Sequence, residues 1–226
     1  MNTLTTGMEH SVSIPSKNVY LKGLLRIPEE AKGIILFVHG SGSSRFSRRN
    51  QYVASILNQG KYATLLFDLL TSQEDLIDEV TREFRFDIHL LASRLITVAY
   101  WCINELAPYQ FSIGLFGAST GGGAALEAAA QEPQLFKAIV SRGGRPDLAG
   151  NYLLQVKAPT LLIVGGNDEV VIGLNQHAMS QMHCTTRLEI VPGATHLFEE
   201  PGTLQEVAIL AQKWFDQHFT ASCKLK

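Results

Sequence analysis

A mostly parallel β-sheet with helices on both faces is the fold that the sequence predicts. Three observations predict it. Short apolar runs rich in β-branched residues recur along the chain, helical patterns fall between them, and glycine-containing turns close several of the runs. Continuous apolar runs suit strands buried on both faces. Their regular alternation with helices demands parallel strands joined by helical crossovers.

In chain order, residues 19–27 alternate apolar and polar side chains and read as a half-buried antiparallel strand ended by Pro28. The run 33–38 is the first buried strand, closed by His39 and Gly40. Further strands are predicted over 62–70, 111–116, 136–140 and 160–164, with a last one over 187–191. Helices are predicted over 51–58, 86–106, 122–131, 175–182 and 204–219. The stretch 71–85 is polar and mostly acidic, and reads as a solvated loop or short surface helix rather than as the rim of a site. No repeat, low-complexity tract or linker divides the chain, so residues 1–226 read as one domain.

Bulk composition excludes several classes of function. Hydrophobic residues make up 46% of the 226 and charged residues 18%, which suits a globular protein with one filled core. A formal net charge of −2 offers no global field for nucleic acid or an anionic membrane. No apolar stretch reaches the roughly 20 residues that span a bilayer, and residues 1–16 lack a basic segment followed by an apolar run. The cysteines Cys102, Cys184 and Cys223 are odd in number and scattered. They point to reduced thiols in a cytoplasmic protein rather than to disulfides or a zinc site. Cys102 reads as core and Cys223 as an idle tail residue.

The sharpest motif is Gly117-Ala118-Ser119-Thr120-Gly121, placed between a predicted strand and an alanine-rich helix. A nucleophilic serine on a sharp strand-to-helix turn needs neighbours with little side chain, and the helix N-terminus favours developing negative charge. The glycine order fits neither a dinucleotide fingerprint nor a P-loop. Upstream, His39-Gly40-Ser41-Gly42-Ser43 follows the first buried strand. A tetrahedral intermediate needs two preorganised donors for its oxyanion. The Thr120 and Ser41 N–H groups are the candidates, with Gly40 and Gly42 allowing close backbone approach and Gly42 lying beside bound substrate. His39 reads as a loop brace.

Asp168, in Gly165-Gly166-Asn167-Asp168, follows the strand 160–164 and can orient a histidine on the next loop. Glu169 and Asp147 are the alternatives, and a turn aspartate is the structural reading. His196, in Gly193-Ala194-Thr195-His196, lies beyond that acid on a loop before the last helix. His10 and His218 lie near the ends, and His89, His177 and His183 fall in helical patterns. The order Ser119, Asp168, His196 is that of a nucleophile-elbow triad.

With these four motifs the chain resembles the α/β-hydrolase superfamily, and within it the dienelactone-hydrolase-like branch, over residues 19–219. The resemblance implies acyl transfer through an acyl-enzyme, with no cofactor and no metal. It implies a small carboxylic ester, lactone or thioester as substrate. Dienelactone hydrolases proper use a cysteine nucleophile; Ser119 here points to ordinary ester chemistry. Where the family carries a cap, this chain has only residues 142–159 between two strands, which leaves no room for a cap domain. An acyltransferase and a slowly turning over ligand sensor of the same fold are the competing readings. The oligomeric state is not assigned by any motif.

Arg142 lies just beyond the strand 136–140, at the end of the sheet where ligands bind. A guanidinium there matches a substrate carboxylate. An internal ion pair with Asp68 or Asp147 is the rival reading. Arg45, Arg48 and Arg49 either add positive charge to the rim or are solvated.

Overall fold

The computed structural model describes residues 4–219. Eight strands form one sheet: β1 (Glu9–Ser16), β2 (Val19–Arg26), β3 (Ile34–Val38), β4 (Ala63–Phe67), β5 (Ile113–Ala118), β6 (Phe136–Arg142), β7 (Thr160–Gly165) and β8 (Thr186–Val191). Their spatial order is β1-β2-β4-β3-β5-β6-β7-β8. The first two strands form an antiparallel pair, and β2 runs antiparallel to β4. From β4 to β8 every pairing is parallel. This is the α/β-hydrolase fold.

Six α-helices accompany the sheet: α1 (Arg48–Gln59), α2 (Ser72–Thr81), α3 (Ile88–Glu105), α4 (Thr120–Gln131), α5 (Glu169–Gln181) and α6 (Thr203–His218). Val53 and Leu57 of α1 and Val207, Ala211 and Phe215 of α6 bury against one face of the sheet. Leu91, Leu95 and Val98 of α3 and Ala124, Ala125 and Ala128 of α4 bury against the other. The strands β3, β4, β5 and β7 are buried along their whole length, as two covered faces require. Between β6 and β7 the chain makes only a short helical segment, Pro146–Gln155, kinked at Gly150 and packed on α4 and α5. Among the described residues there is no cap domain.

Several boundaries differ from the sequence expectation. β1 was not expected; it is an edge strand with Ile14 and Ser16 as its buried residues, so its apolar signal is thin. The strand expected over 62–70 ends at Phe67. α5 begins at Glu169, well before Asn175, and His183 lies beyond its end.

The acidic stretch after β4 is the ordered helix α2. Thr71 and Glu74 cap it reciprocally, each side chain taking the other's backbone N–H. Its polarity is partly inverted. Asp78 is 1% exposed, whereas Leu76, Ile77 and Val80 face outward. Burial alone would raise the Asp78 carboxyl. The Arg85 backbone N–H and guanidinium and the Phe84 N–H outweigh it and hold the carboxyl below the usual carboxylate range. Glu74 makes a similar inward pair with Arg94.

Cys102 is buried in the core, and burial raises its thiol well above the ordinary range. Cys184 is free and half-buried. Cys223 lies outside the described residues. Among the described residues no helix is long and apolar enough to cross a membrane, and no cluster of His, Cys, Asp or Glu could hold a metal ion.

Candidate active site

The carboxyl ends of β3, β5, β6, β7 and β8 bring the predicted site residues, Gly42 apart, to one end of the sheet. Ser119 sits between β5 and α4 with φ 51 and ψ −123, a left-handed backbone that L-residues adopt only under constraint. The constraint is visible. The Ser119 N–H donates to the Arg142 carbonyl at 3.2 Å, and the Ser119 carbonyl accepts from Gly122 and Arg145 N–H at 2.9 and 3.0 Å. A side chain at Gly121 would stand 2.2 Å from the Val38 carbonyl oxygen, so only glycine lets α4 start this close to β3.

His196 lies on the loop after β8. Its Nδ1 donates to Asp168 Oδ2 at 2.7 Å, which leaves Nε2 as the acceptor facing Ser119 Oγ at 3.4 Å. The Asp168 side chain is 15% exposed and that of His196 is 37% exposed. Asp168 and His196 are brought together by their loops. Asn167 N–H donates to the Ala194 carbonyl at 2.9 Å, and Asn167 Nδ2 to the Gly193 carbonyl at 3.0 Å. The Glu200 carboxylate then accepts from the Thr195 N–H at 3.1 Å and the Thr195 hydroxyl at 2.6 Å. Those bonds hold the Glu200 carboxyl below its usual range. Neither alternative acid bonds to His196: Glu169 is exposed, and Asp147 is paired with Arg145.

The loop after β3 is braced from three sides. His39 is buried; its Nδ1 donates to the Gly40 carbonyl at 2.9 Å, and its Nε2 accepts from the Leu69 N–H at 3.0 Å. The imidazole is therefore neutral and protonated at Nδ1. It fixes the carbonyl of the same peptide whose N–H belongs to Ser41. Asp68 accepts from the Arg45 N–H at 2.8 Å and pairs with the Arg45 guanidinium. The third brace reaches Ser41 itself, whose N–H donates to Thr120 Oγ1 at 2.8 Å. Gly42 is exposed at the rim with φ 66, beside Arg85 and outside the cleft that holds Ser119.

Burial lowers the His39 pKa more than the Gly40 hydrogen bond and the Asp68 and Asp75 charges raise it. In the unfolded chain histidine takes a proton near pH ~6.5, where the folded protein does not. Stability is full above that pH and is lost as pH falls toward the lowered value. The melting temperature is thus expected to drop between about pH 7 and pH 5, with a shallower slope in His39→Asn. His218, likewise held down by burial, keeps part of the slope in that variant. An identical slope in wild type and variant would refute the assignment.

Beside Ser119 and His196 opens a cleft of about 250 Å³, whose lining includes Arg49, Asn50 and Arg142. Arg142 is the last residue of β6 and is 5% exposed. Neither carboxylate suggested by the sequence pairs with it, because Asp68 is taken by Arg45 and Asp147 by Arg145. Among the described residues it has no ion-pair partner. Its Nη2 donates to Asn50 Oδ1 at 3.4 Å, its Nε is buried without a partner, and its guanidinium lies 5.8 Å from the Phe198 ring. Burial, with the charge of Arg49, pushes its pKa down to about 10. Arg49 is shared with Glu199 at 3.1 Å. Sequence reasoning placed Arg49 only at the rim, and Asn50 was not singled out; Asn50 is buried in the first turn of α1, where nothing in its sequence context marks it.

The sequence model of the Dienelactone hydrolase family matches residues 21–219. A crystal structure of a dienelactone hydrolase from Anabaena variabilis is 56% identical in sequence, superposes with a TM-score of 0.91, and is matched over 93% of this chain and 98% of that one. Est1E from Butyrivibrio proteoclasticus shares the fold at 16% identity, with a TM-score of 0.78 over 93% of this chain and 99% of that one. Curated proteins from two strains of Mycobacterium tuberculosis, provisionally named phosphoribosyl transferases, are 54% identical over 210 residues. That match covers 93% of this chain and 46% of theirs, so the chain spans about half the length of the curated relatives it matches.

Proposed function

The chain belongs to the dienelactone hydrolase family, and on that premise we propose that it is a serine hydrolase cleaving small carboxylic esters, lactones or thioesters. The observation that carries this reading is the hydrogen-bonded line from Asp168 through His196 to Ser119. Ser119 Oγ attacks the carbonyl carbon while its proton passes to His196 Nε2. Asp168 holds the Nδ1 proton and stabilises the imidazolium. The oxyanion forms between the start of α4 and the loop of Ser41, with the Thr120 N–H as its backbone donor. Collapse expels the alcohol or thiol with the proton from His196. Water, deprotonated by the same imidazole, then releases the acid.

Two features favour hydrolysis over transfer to another acceptor. The cleft has no cap, and His196 is partly exposed, so water reaches the acyl-enzyme. The transferase name of the curated relatives belongs to proteins of which this chain matches less than half. The residues assembled here support acyl chemistry at a serine. The test is turnover of p-nitrophenyl acetate and longer esters, with fluorophosphonate labelling mapped by peptide mass. Label on Ser119 with multiple turnovers is expected. Label on a different serine would overturn the reading, and a single turnover followed by arrest would favour the sensor.

The arginine in the cleft lining supports a narrower substrate class, esters or lactones that carry an anionic group. Arg142 is a buried cation with no carboxylate of its own, facing the same cleft as Ser119. A charge-assisted contact of this kind is worth about 1.5–3 kcal/mol, roughly 10- to 100-fold in affinity. Arg142→Met, which keeps most of the volume, is expected to raise KM by that factor for a carboxylate-bearing ester and to spare its neutral isostere. If both substrates suffer alike and the melting temperature falls, Arg142 braces the strand end instead.

A further inference from the structure

Thr120 follows the nucleophile and opens α4, yet its side chain does something the elbow does not require. Its hydroxyl oxygen accepts the Ser41 N–H at 2.8 Å. A backbone N–H directs well at one acceptor, so in this structure the Ser41 donor is already engaged. The threonine hydroxyl, having accepted that bond, still carries a proton of its own. That proton has no acceptor among the described residues, and the side chain is buried, with Thr120 4% exposed. Thr120 lines a small cavity that shares Gly40, Ser41 and Ser43 with the Ser119 cleft, so its hydroxyl lies beside the loop that borders the nucleophile.

We propose that the Thr120 hydroxyl is itself a donor to the oxyanion, so that Thr120 supplies both donors, one from its backbone and one from its side chain. Ser41 then acts at one remove. Its N–H, aimed by the His39 bond to the Gly40 carbonyl, donates into Thr120 Oγ1. A hydroxyl that accepts such a bond is a stronger donor in turn, because linked hydrogen bonds polarise one another. No bond is made or broken by Thr120, and its proton stays on the oxygen throughout. The inference rests on the acyl-enzyme reading above and assigns a catalytic role that the backbone geometry of the elbow alone does not contain.

The experiment compares wild type with Thr120→Val, Thr120→Ala and Thr120→Ser on p-nitrophenyl acetate, alongside the inhibition constant of an aryl trifluoromethyl ketone. Valine keeps the shape and removes the hydroxyl, and alanine guards against a valine variant that packs badly. For both, kcat is expected to fall by about 10²-fold with KM nearly unchanged, the loss typical of one oxyanion donor. The ketone, which forms an oxyanionic hemiketal, is expected to weaken in parallel with kcat/KM. Thr120→Ser is expected to stay within about threefold of wild type, since it restores the donor. Fluorophosphonate labelling and melting temperature report whether each variant is folded. A valine variant as fast as wild type or faster would overturn the proposal, since the hydroxyl would then merely occupy the Ser41 donor. So would a serine variant as slow as valine. A wild type that neither turns over esters nor takes the probe would sink the hydrolase reading and this inference together, whereas an active wild type indifferent to Thr120 would sink this inference alone.

Discussion

Ser119→Ala is expected to lower kcat for any ester that the protein turns over by roughly 10⁴-fold or more, with little change in KM or melting temperature. Removing the nucleophile leaves only binding and oxyanion stabilisation, and those retain a small part of the acceleration. The fold should survive, because the turn at 119 is held by backbone bonds to Arg142, Gly122 and Arg145 rather than by the serine side chain. Alanine still has a Cβ and inherits the positive φ of that turn, so stability should change little in either direction. The measurement is a steady-state rate with a thermal melt on the same sample. An alanine variant that keeps even a few per cent of wild-type kcat would place the nucleophile elsewhere.

Asp168→Asn is the second large effect. The carboxylate accepts the Nδ1 proton of His196 at 2.7 Å. A carboxamide oriented by its NH₂ group would present a donor there, drive the imidazole to the other tautomer, and remove the Nε2 lone pair that Ser119 needs. A loss of about 10⁴-fold in kcat is expected from this tautomer change. Glu169→Gln is the control: Glu169 is exposed on the first turn of α5, and its variant should stay close to wild type. Reversal of the two effects would move the acid by one residue. Indifference of both would leave the imidazole without a carboxylate partner in catalysis.

Much of this architecture was legible in the residues because steric necessity leaves few alternatives. The run ending at Phe116, followed by Gly117, Ser119 and Gly121, has one compact solution, a strand meeting a helix at a strained serine. The same holds for the glycines before Asp168 and the small residues before His196, which let two loops pass close together. What was hidden was hidden for physical reasons. β1 is an edge strand, so half its residues face solvent and blur the alternation. α2 turns Asp78 and Glu74 inward and its leucine, isoleucine and valine outward, against the pattern that identifies a helix. The residues therefore left a solvated loop and a short surface helix open for this stretch. The partners of Arg142 could not be read at all. Asp68 and Asp147 were within the right loops, but Arg45 and Arg145 lie closer to them in the folded chain. Pairing is a matter of distance, and the approach of Arg45 to Asp68, 23 positions away, is not written in local sequence. The Ser41–Thr120 hydrogen bond belongs to the same class, since it joins residues 79 positions apart.

The left-handed backbone at Ser119 also limits which chemistries this scaffold can adopt. A residue with φ 51 pinned by three backbone hydrogen bonds accepts an unbranched Cβ and resists a branched one. Serine, cysteine and aspartate meet that condition; threonine does not. The change between an oxygen and a sulfur nucleophile is therefore one atom in an unaltered backbone, and an addition as small as a β-methyl is the larger disturbance. The stereochemistry of one peptide turn, more than the identity of the attacking atom, is what a lineage built on this fold has to keep.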